Sequence, residues 1–288
     1  MRVIERFTAS TKGDRTEDLI VETPDFYGVF DGVTGVKPDW LRDGRTMGQW
    51  ASFLAGAALE EMHANATIQD FAKRATEKLV VIRKLFDLMP ADRLASTAVI
   101  LPRRRPLEVW SIGDSHYSYR LQNGAWNSHP QTKLYDEVTL AYRKIVVLQE
   151  ILERGEPQIT EERAALAQAS WNSVSPAIGK QLLLANHPDP REALGFGLLT
   201  GTEIPQHHLH IYPLPDDAAE VVLCTDGFPE AVPTAVAGQN LLNIMKDSDP
   251  FLIGKNPIGF MGHKGGFVQM NGSVADYYDD VAYLRIAV

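Results

Sequence analysis

The chain has 288 residues, is 44% hydrophobic and 23% charged, and carries a formal net charge of −9 at neutral pH. That length allows one large or two ordinary domains with a proper core. The acidic balance weighs against nucleic acid or an anionic membrane as partner, though not against an anionic substrate beside bound cations.

In chain order, residues 2–8 and 18–23 are apolar and rich in β-formers, with a turn at Thr11-Lys-Gly-Asp14, and Tyr27 to Phe30 forms another short strand. The Ala- and Leu-rich stretch from about Thr46 to His63 predicts a helix. A second is predicted over about 68–88, where Phe71, Ala75, Leu79, Ile82 and Phe86 share one face and Pro90 marks the end. Three strands follow, at 97–101, 107–112 and 117–121, joined by Pro102-Arg-Arg-Arg-Pro106 and Gly113-Asp-Ser115, with a hairpin-type turn at Asn123-Gly124. Short consecutive strands with tight links imply antiparallel pairing. Helices are expected at 134–154 and 161–170, a Gly-bearing loop region over 171–205, and strands at 207–212 and 219–224. A short helix over 236–247, an irregular Gly-rich insertion over 249–276 and a last strand over 281–287 complete the reading. This order lacks the regular βαβα alternation of a parallel sheet and fits an α+β arrangement of helices packed outside antiparallel sheets.

Four acidic pairs or turns lie beside the apolar runs: Glu17-Asp18, Asp31-Gly32, Asp226-Gly227 and Asp279-Asp280. Strand ends next to Gly turns let a rigid sheet hold carboxylates in place, and oxygen ligands of this kind suit Mg²⁺ or Mn²⁺. Taken singly, each is an ordinary turn acid. The ordered set Thr16-Glu-Asp18, Val29-Phe-Asp-Gly-Val-Thr-Gly35, Ala95-Ser-Thr-Ala98, Gly113-Asp-Ser115, Cys224-Thr-Asp-Gly227 and Asp279-Asp-Val281 resembles the successive motifs of the type 2C family of metal-dependent Ser/Thr protein phosphatases, and does so over nearly the whole chain.

The resemblance implies a four-layer α-β-β-α sandwich of two antiparallel sheets flanked by helices. It also implies one phosphatase domain over residues 1–288, with a flap-like helical insert at about 130–205. It implies two Mn²⁺ or Mg²⁺ ions, with a weaker third. Asp31 resembles the bridging carboxylate, the Gly32 carbonyl and Glu17 resemble ligands of the second ion, and Asp226 and Asp279 resemble ligands of the first. Asp114 resembles the acid that holds the third ion with Asp226, so Asp31 and Asp226 carry the catalytic role. Two such ions lower the pKa of a shared water and stabilise charge developing on phosphorus. The expected reaction is hydrolysis of phosphoserine or phosphothreonine in a protein, such as the target of a Ser/Thr kinase. A phosphatase of small phosphorylated metabolites, or a catalytically weak regulatory relative, are the alternatives.

The chain departs from the family in places. Val33 stands where eukaryotic members have a His general acid, and Gly13 stands where the family has an Arg that grips substrate phosphate. Lys12 and Arg15 are the nearby cations that could take its place, and Asp18 is a supporting acid. The other reactive residues read as structural. Cys224 is the single cysteine, so no intrachain disulfide forms; it sits in an apolar strand with no Cys-x5-Arg cradle and reads as core. His208 and His210 would share one face of a solvated strand edge without a zinc set. Arg103-Arg104-Arg105 reads as a solvated hairpin tip. The start Met1-Arg-Val-Ile-Glu-Arg6 has no long apolar core, and no run approaches a membrane span, so no membrane partner and a cytoplasmic location are expected.

Overall fold

The computed structural model describes residues 1–10, 16–33, 44–89, 92–129, 131, 133–155, 160–227, 267–268, 274–275 and 280–288. The chain forms two compact units. The first is Met1–Lys133, Leu182–Ala235 and Asp280–Val288, and the second is Leu134–Gln181 and Val236–Asp279.

Alternation of side chains builds the first unit. In β3 (Phe26–Gly32), Phe26 and Phe30 face one way while Tyr27 and Val29 face the other. The neighbouring β4 (Ser96–Pro102) is buried throughout, with Ala98 and Ile100 on the first face and Val99 and Leu101 on the second. Strands buried on both faces mark the middle of a layered sandwich. With β2 (Leu19–Glu22), β5 (Glu108–Ile112) and β8 (His210–Pro213) they make an antiparallel sheet of order β2-β3-β4-β5-β8. The other sheet has order β1-β12-β9-β6-β7, from β1 (Arg2–Ala9), β12 (Val281–Ala287), β9 (Ala218–Cys224), β6 (His116–Leu121) and β7 (Trp126–His129), again all antiparallel. The two sheets meet through Tyr27, Val29, Val99, Leu101 and Val109 on one side and Tyr117, Val221, Leu223, Leu284 and Ile286 on the other.

Two helices cover the outer face of the β2-to-β8 sheet. Helix α1 (Met47–Glu60) starts at a capping box between Thr46 and Gln49, and it buries Ala51, Ala55, Ala58 and Leu59. Its small residues let it lie close to the strands: a Cβ on Gly56 would come within 2.6 Å of Leu19. Helix α2 (Ile68–Leu85) starts at a second capping box, Thr67 with Asp70, and buries Ile68, Phe71, Ala75, Leu79 and Ile82, the one-face spacing read from the sequence. Fully buried side chains such as Phe71 and Leu79 each contribute about 1.5–3 kcal/mol relative to exposure. The expected α+β class, two antiparallel sheets with flanking helices, is the one observed.

In the second unit, α3 (Leu134–Arg154) packs on α4 (Thr160–Ile178), and β10 (Phe267–Val268) pairs with β11 (Val274–Ala275). Helix α4 runs past its expected end at 170. Residues 171–178 are helical because Ser170 and Val174 continue its buried face. Pro176 stands close to the C-terminus, where the missing amide costs a single bond. The helix expected over 236–247 lies outside the described residues, as does most of the 249–276 insertion.

One surface reading changes, and another gains specific partners. His208 belongs to a 3-10 turn, Gln206–His208, and is 7% exposed, whereas His210 opens β8 and is exposed. The two therefore share no strand face; the turn binds His208 Nε2 to the His187 carbonyl at 3.2 Å. The arginine run is solvent-exposed at Arg103 and Arg105, as expected, and half-buried at Arg104. Arg104 lies over the Trp110 ring and donates to the carbonyls of Ala64 and Ala66 at 2.6 and 3.0 Å, while Arg103 lies 4.7 Å from the centre of the Tyr27 ring. Their hydrocarbon stems cover aromatic surface while the heads find carbonyls.

Candidate metal centre

Three separate chain reversals bring carboxylates together at one end of the two sheets. Asp31 is the penultimate residue of β3, on the same side as Tyr27 and Val29, facing the other sheet. It pairs in register with Thr97 of β4. Asp114 stands in the turn Gly113-Asp114-Ser115, which carries the chain from β5 in one sheet to β6 in the other. A 2.6 Å bond between the hydroxyls of Thr97 and Ser115 ties that turn to the Asp31 neighbourhood. Asp226 lies two residues past the end of β9. Its approach is set by Thr225, which exchanges bonds with Ala282: N to O at 3.0 Å, and Ala282 N to the Thr225 hydroxyl at 2.9 Å.

One carboxylate oxygen each from Asp31, Asp114 and Asp226 all lie within 4.8 Å of one another. Asp114 is buried and the other two are half-buried. Oxygens on opposite sides of a small divalent ion, each about 2.1 Å from it, stand about 4.2 Å apart. Three oxygens cannot all stand opposite one another, and adjacent ones are about 3.0 Å apart, so the trio lies near a hard-cation site and would close further to share one ion; its all-oxygen chemistry suits Mg²⁺ or Mn²⁺. Without cations, each ionised pair at such a separation would repel by about 3–4 kcal/mol at an effective dielectric near 20. Part of that repulsion is offset by Lys133, whose Nζ lies 3.0 Å from Asp114 Oδ2.

Close backbone approach holds the loops that carry the trio. Gly32 follows Asp31, and a Cβ there would sit 2.4 Å from the Gly48 carbonyl oxygen and 2.6 Å from that of Glu17. A Cβ on Gly227, next to Asp226, would sit 1.8 Å from the Asp280 carbonyl oxygen. No side chain fits at either position, so the glycine after each aspartate is required by packing.

Glu17 is 2% exposed and stands outside the trio. Its Oε1 accepts the Thr46 hydroxyl at the start of α1, and a Cβ on Gly48 would lie 3.0 Å from its carboxyl carbon. A carboxylate there complements the positive end of the helix. Asp18 is 5% exposed and lines a separate cavity of about 450 Å³, with Arg45, Gln49, Ser52 and Phe53 among its walls. Asp279, Gly13, Lys12 and Arg15 lie outside the described residues. Cys224 is a buried free thiol, as its apolar strand implied.

Several contributors escaped sequence reasoning. Asp280 accepts from the Glu17 amide at 2.7 Å and from the Ser10 hydroxyl at 3.0 Å, so it binds three segments together. Its place next to Asp279 was visible, but its partners were not. Lys133 carried no motif at all.

No protein-family model matches the chain, and no curated protein matches it. Solved structures do. The serine/threonine phosphatase Stp1 from Staphylococcus aureus superposes with a TM-score of 0.51 at 12% identity, covering 100% of this chain and 96% of that one. The Mycobacterium tuberculosis serine/threonine phosphatase PstP/Ppp gives 0.47 at 17% identity, with 98% and 97% covered. The catalytic domain of PstP in complex with two manganese ions gives 0.45 at 15% identity, with 98% and 96% covered. At this level of identity the Stp1 likeness is one of fold, and the chain shares the fold of the type 2C Ser/Thr protein phosphatases that its ordered motifs resemble.

Proposed function

We propose that the chain is a metal-dependent phosphoprotein phosphatase that hydrolyses phosphoserine and phosphothreonine. The observation that carries this reading is the convergence of Asp31, Asp114 and Asp226, from three motifs far apart in sequence, to within 4.8 Å. Turn acids with only structural roles have no reason to meet, because their mutual repulsion would cost stability.

Asp31 and Asp226 would hold two Mn²⁺ or Mg²⁺ ions, together with Asp279, the Gly32 carbonyl and Glu17. Such ions supply Lewis acidity toward phosphoryl oxygens and lower the pKa of a nearby water. The protein's own part is to fix the ligands. Asp31 lies within the paired part of β3, and Thr225 beside Asp226 is bonded to Ala282, so the backbone next to both carboxylates is tied to neighbouring strands. For Glu17 to serve as a ligand directly or through water, it would use Oε2 or exchange its bond with Thr46. The Asp280 side chain keeps the Glu17 backbone in place meanwhile. In this reading the whole chain is one catalytic domain that includes the helical segment near 130–205. The setting is cytoplasmic, and the substrate is the product of a Ser/Thr kinase.

The test is hydrolysis of p-nitrophenyl phosphate and of a phosphothreonine peptide, with Mn²⁺, with Mg²⁺ and with EDTA, beside a panel of phosphorylated metabolites. The expected result is metal-dependent turnover abolished by EDTA, with the peptide preferred over the metabolites. Full activity in EDTA overturns the reading. A second reading, a catalytically weak regulatory relative, is favoured by Gly13 in place of the phosphate-gripping Arg and by the engagement of Glu17 with α1. Tight Mn²⁺ binding without turnover on any substrate would select it.

A further inference from the structure

Helix α3 carries apolar side chains on two opposite sides. One side is filled: Arg143 and Val147 are buried, and the Arg143 guanidinium lies 5.3 Å from the centre of the Trp171 ring of α4. The other side carries Leu134, Val138, Ala141, Ile145, Leu148 and Leu152. These alternate at spacings of four and three residues, the a and d positions of a heptad, and run the 21-residue length of the helix, about 30 Å.

One buried stripe is enough to hold a helix on a globular unit. The second stripe lies at the surface. Its five large side chains are between 44% and 85% exposed, and Tyr142 beside them is exposed as well. A contiguous apolar strip of this length marks an interaction surface, where single exposed residues would not.

The spacing and the residue types say what fits there. A heptad stripe is matched by a second helix with the same repeat, whose side chains enter the holes between its own. In a second copy of the chain, α3 has that repeat by identity. Val138 and Ile145, both β-branched, take a positions with Leu152, while Leu134 and Leu148 take d positions with Ala141. That composition favours two parallel helices. The flanking e positions, Tyr135, Tyr142 and Gln149, are uncharged, so contacts beside the seam set no like charges together. The six exposed large side chains, on the order of 100 Å² apiece, would bury about 1,200 Å² over two copies, above the threshold of about 1,000 Å² for a specific interface.

We propose that the chain forms a two-fold symmetric dimer in which α3 of one copy pairs in parallel with α3 of a second. The seam lies on the side of α3 away from Arg143 and Val147, so the packing of α3 on α4 is kept. Such a dimer closes on itself. The proposal is independent of the metal-dependent reading.

Sedimentation equilibrium of the full chain, from about 1 to about 100 μM, tests it without reference to catalysis. The expected mass at the upper end is that of a dimer. Ile145→Asp places a charge in the seam at a position exposed in the single copy. Circular dichroism should show the fold retained, and the dimer dissociation constant should rise at least about a hundredfold. An equal mixture with Ile145→Lys should restore the dimer, because a positions face each other across a parallel seam. A chain that is monomeric throughout overturns the proposal, as does an Ile145→Asp chain of unchanged mass. A mixture that stays monomeric overturns the parallel pairing. Loss of the fold in Ile145→Asp would show that the stripe is covered from within its own copy, and would overturn the proposal too.

Discussion

The Thr46 hydroxyl donates to Glu17 Oε1 while it accepts from the Gln49 amide, so one side chain both caps helix α1 and anchors the acidic residue beside it. Glu17 thereby touches the helix that covers the sheet and, through its amide, the Asp280 carboxylate at the start of the last strand. The residue that the sequence offers as a metal ligand is also a structural joint.

Thr46→Ala is therefore expected to cost more than a cap. The missing cap alone is worth about 1 kcal/mol, and a buried carboxylate deprived of a donor adds about 1–3 kcal/mol. Thermal unfolding of the variant should show a combined loss of about 2–4 kcal/mol. Thr46→Ser should recover most of it. A Thr46→Ala chain as stable as the unaltered one would remove the joint from consideration.

Asp31→Asn and Asp226→Asn are each expected to lower kcat by at least about a hundredfold, with the fold intact. Each removes a carboxylate charge from the trio and weakens its hold on divalent cations. Circular dichroism would establish folding, and rates at saturating Mn²⁺ would establish the loss. Cys224→Ala makes the contrast: the thiol is buried in β9 and should leave turnover within about twofold. Near-normal rates in either aspartate variant would move the chemistry away from this end of the sandwich.

Acid stability should depend on Glu220. Burial opposes ionisation of its carboxyl, but hydrogen bonds from Arg120 and Arg285 outweigh that and hold its pKa below the ordinary 4.5. Arg285 Nε donates to Glu220 Oε2 at 2.6 Å, and Arg120 pairs with Glu220 in register across β6 and β9. A carboxyl with a depressed folded-state pKa stabilises the fold above its unfolded value. That contribution fades as pH falls below 4.5 through the folded value. Glu220→Gln should thus be less stable by about 1–3 kcal/mol at neutral pH. The gap should narrow as pH falls below 4.5. A gap independent of pH would show that packing, not charge, is what Glu220 contributes.

Arg83 predicts a second stability effect. It donates to the carbonyls of Thr200, Met89, Asp92 and Leu94, joining the end of α2 to two loops, and burial lowers its pKa. Arg83→Ala leaves several carbonyls to find water and is expected to cost about 2–4 kcal/mol in denaturant unfolding. Arg83→Lys should recover only part, because an ammonium cannot spread its donors over four acceptors in a fork. Complete recovery by lysine would reduce the contact to a charge effect.

The strands, the two outer helices and their caps were legible in the chain because each is a local pattern. Alternation in Phe26–Gly32, the one-face spacing of Phe71, Ala75, Leu79 and Ile82, and the polar residues Thr46 and Thr67 all act over a few positions. The order of the acidic motifs was legible for the same reason: each is a short turn at a strand end. The sequence determined which carboxylates would stand at strand ends, and those of Asp31, Asp114 and Asp226 do meet. Their meeting was decided by the sheet-to-sheet turn at Gly113-Ser115 and by register, which no local pattern encodes. The same long-range packing turned Glu17 onto the N-terminus of α1, took Asp18 into another cavity, made Asp280 a joint and set Lys133 against Asp114. A side chain's type is written in the chain. Its electrostatic partner depends on residues tens to hundreds of positions away, and only the closed sandwich brings them within reach.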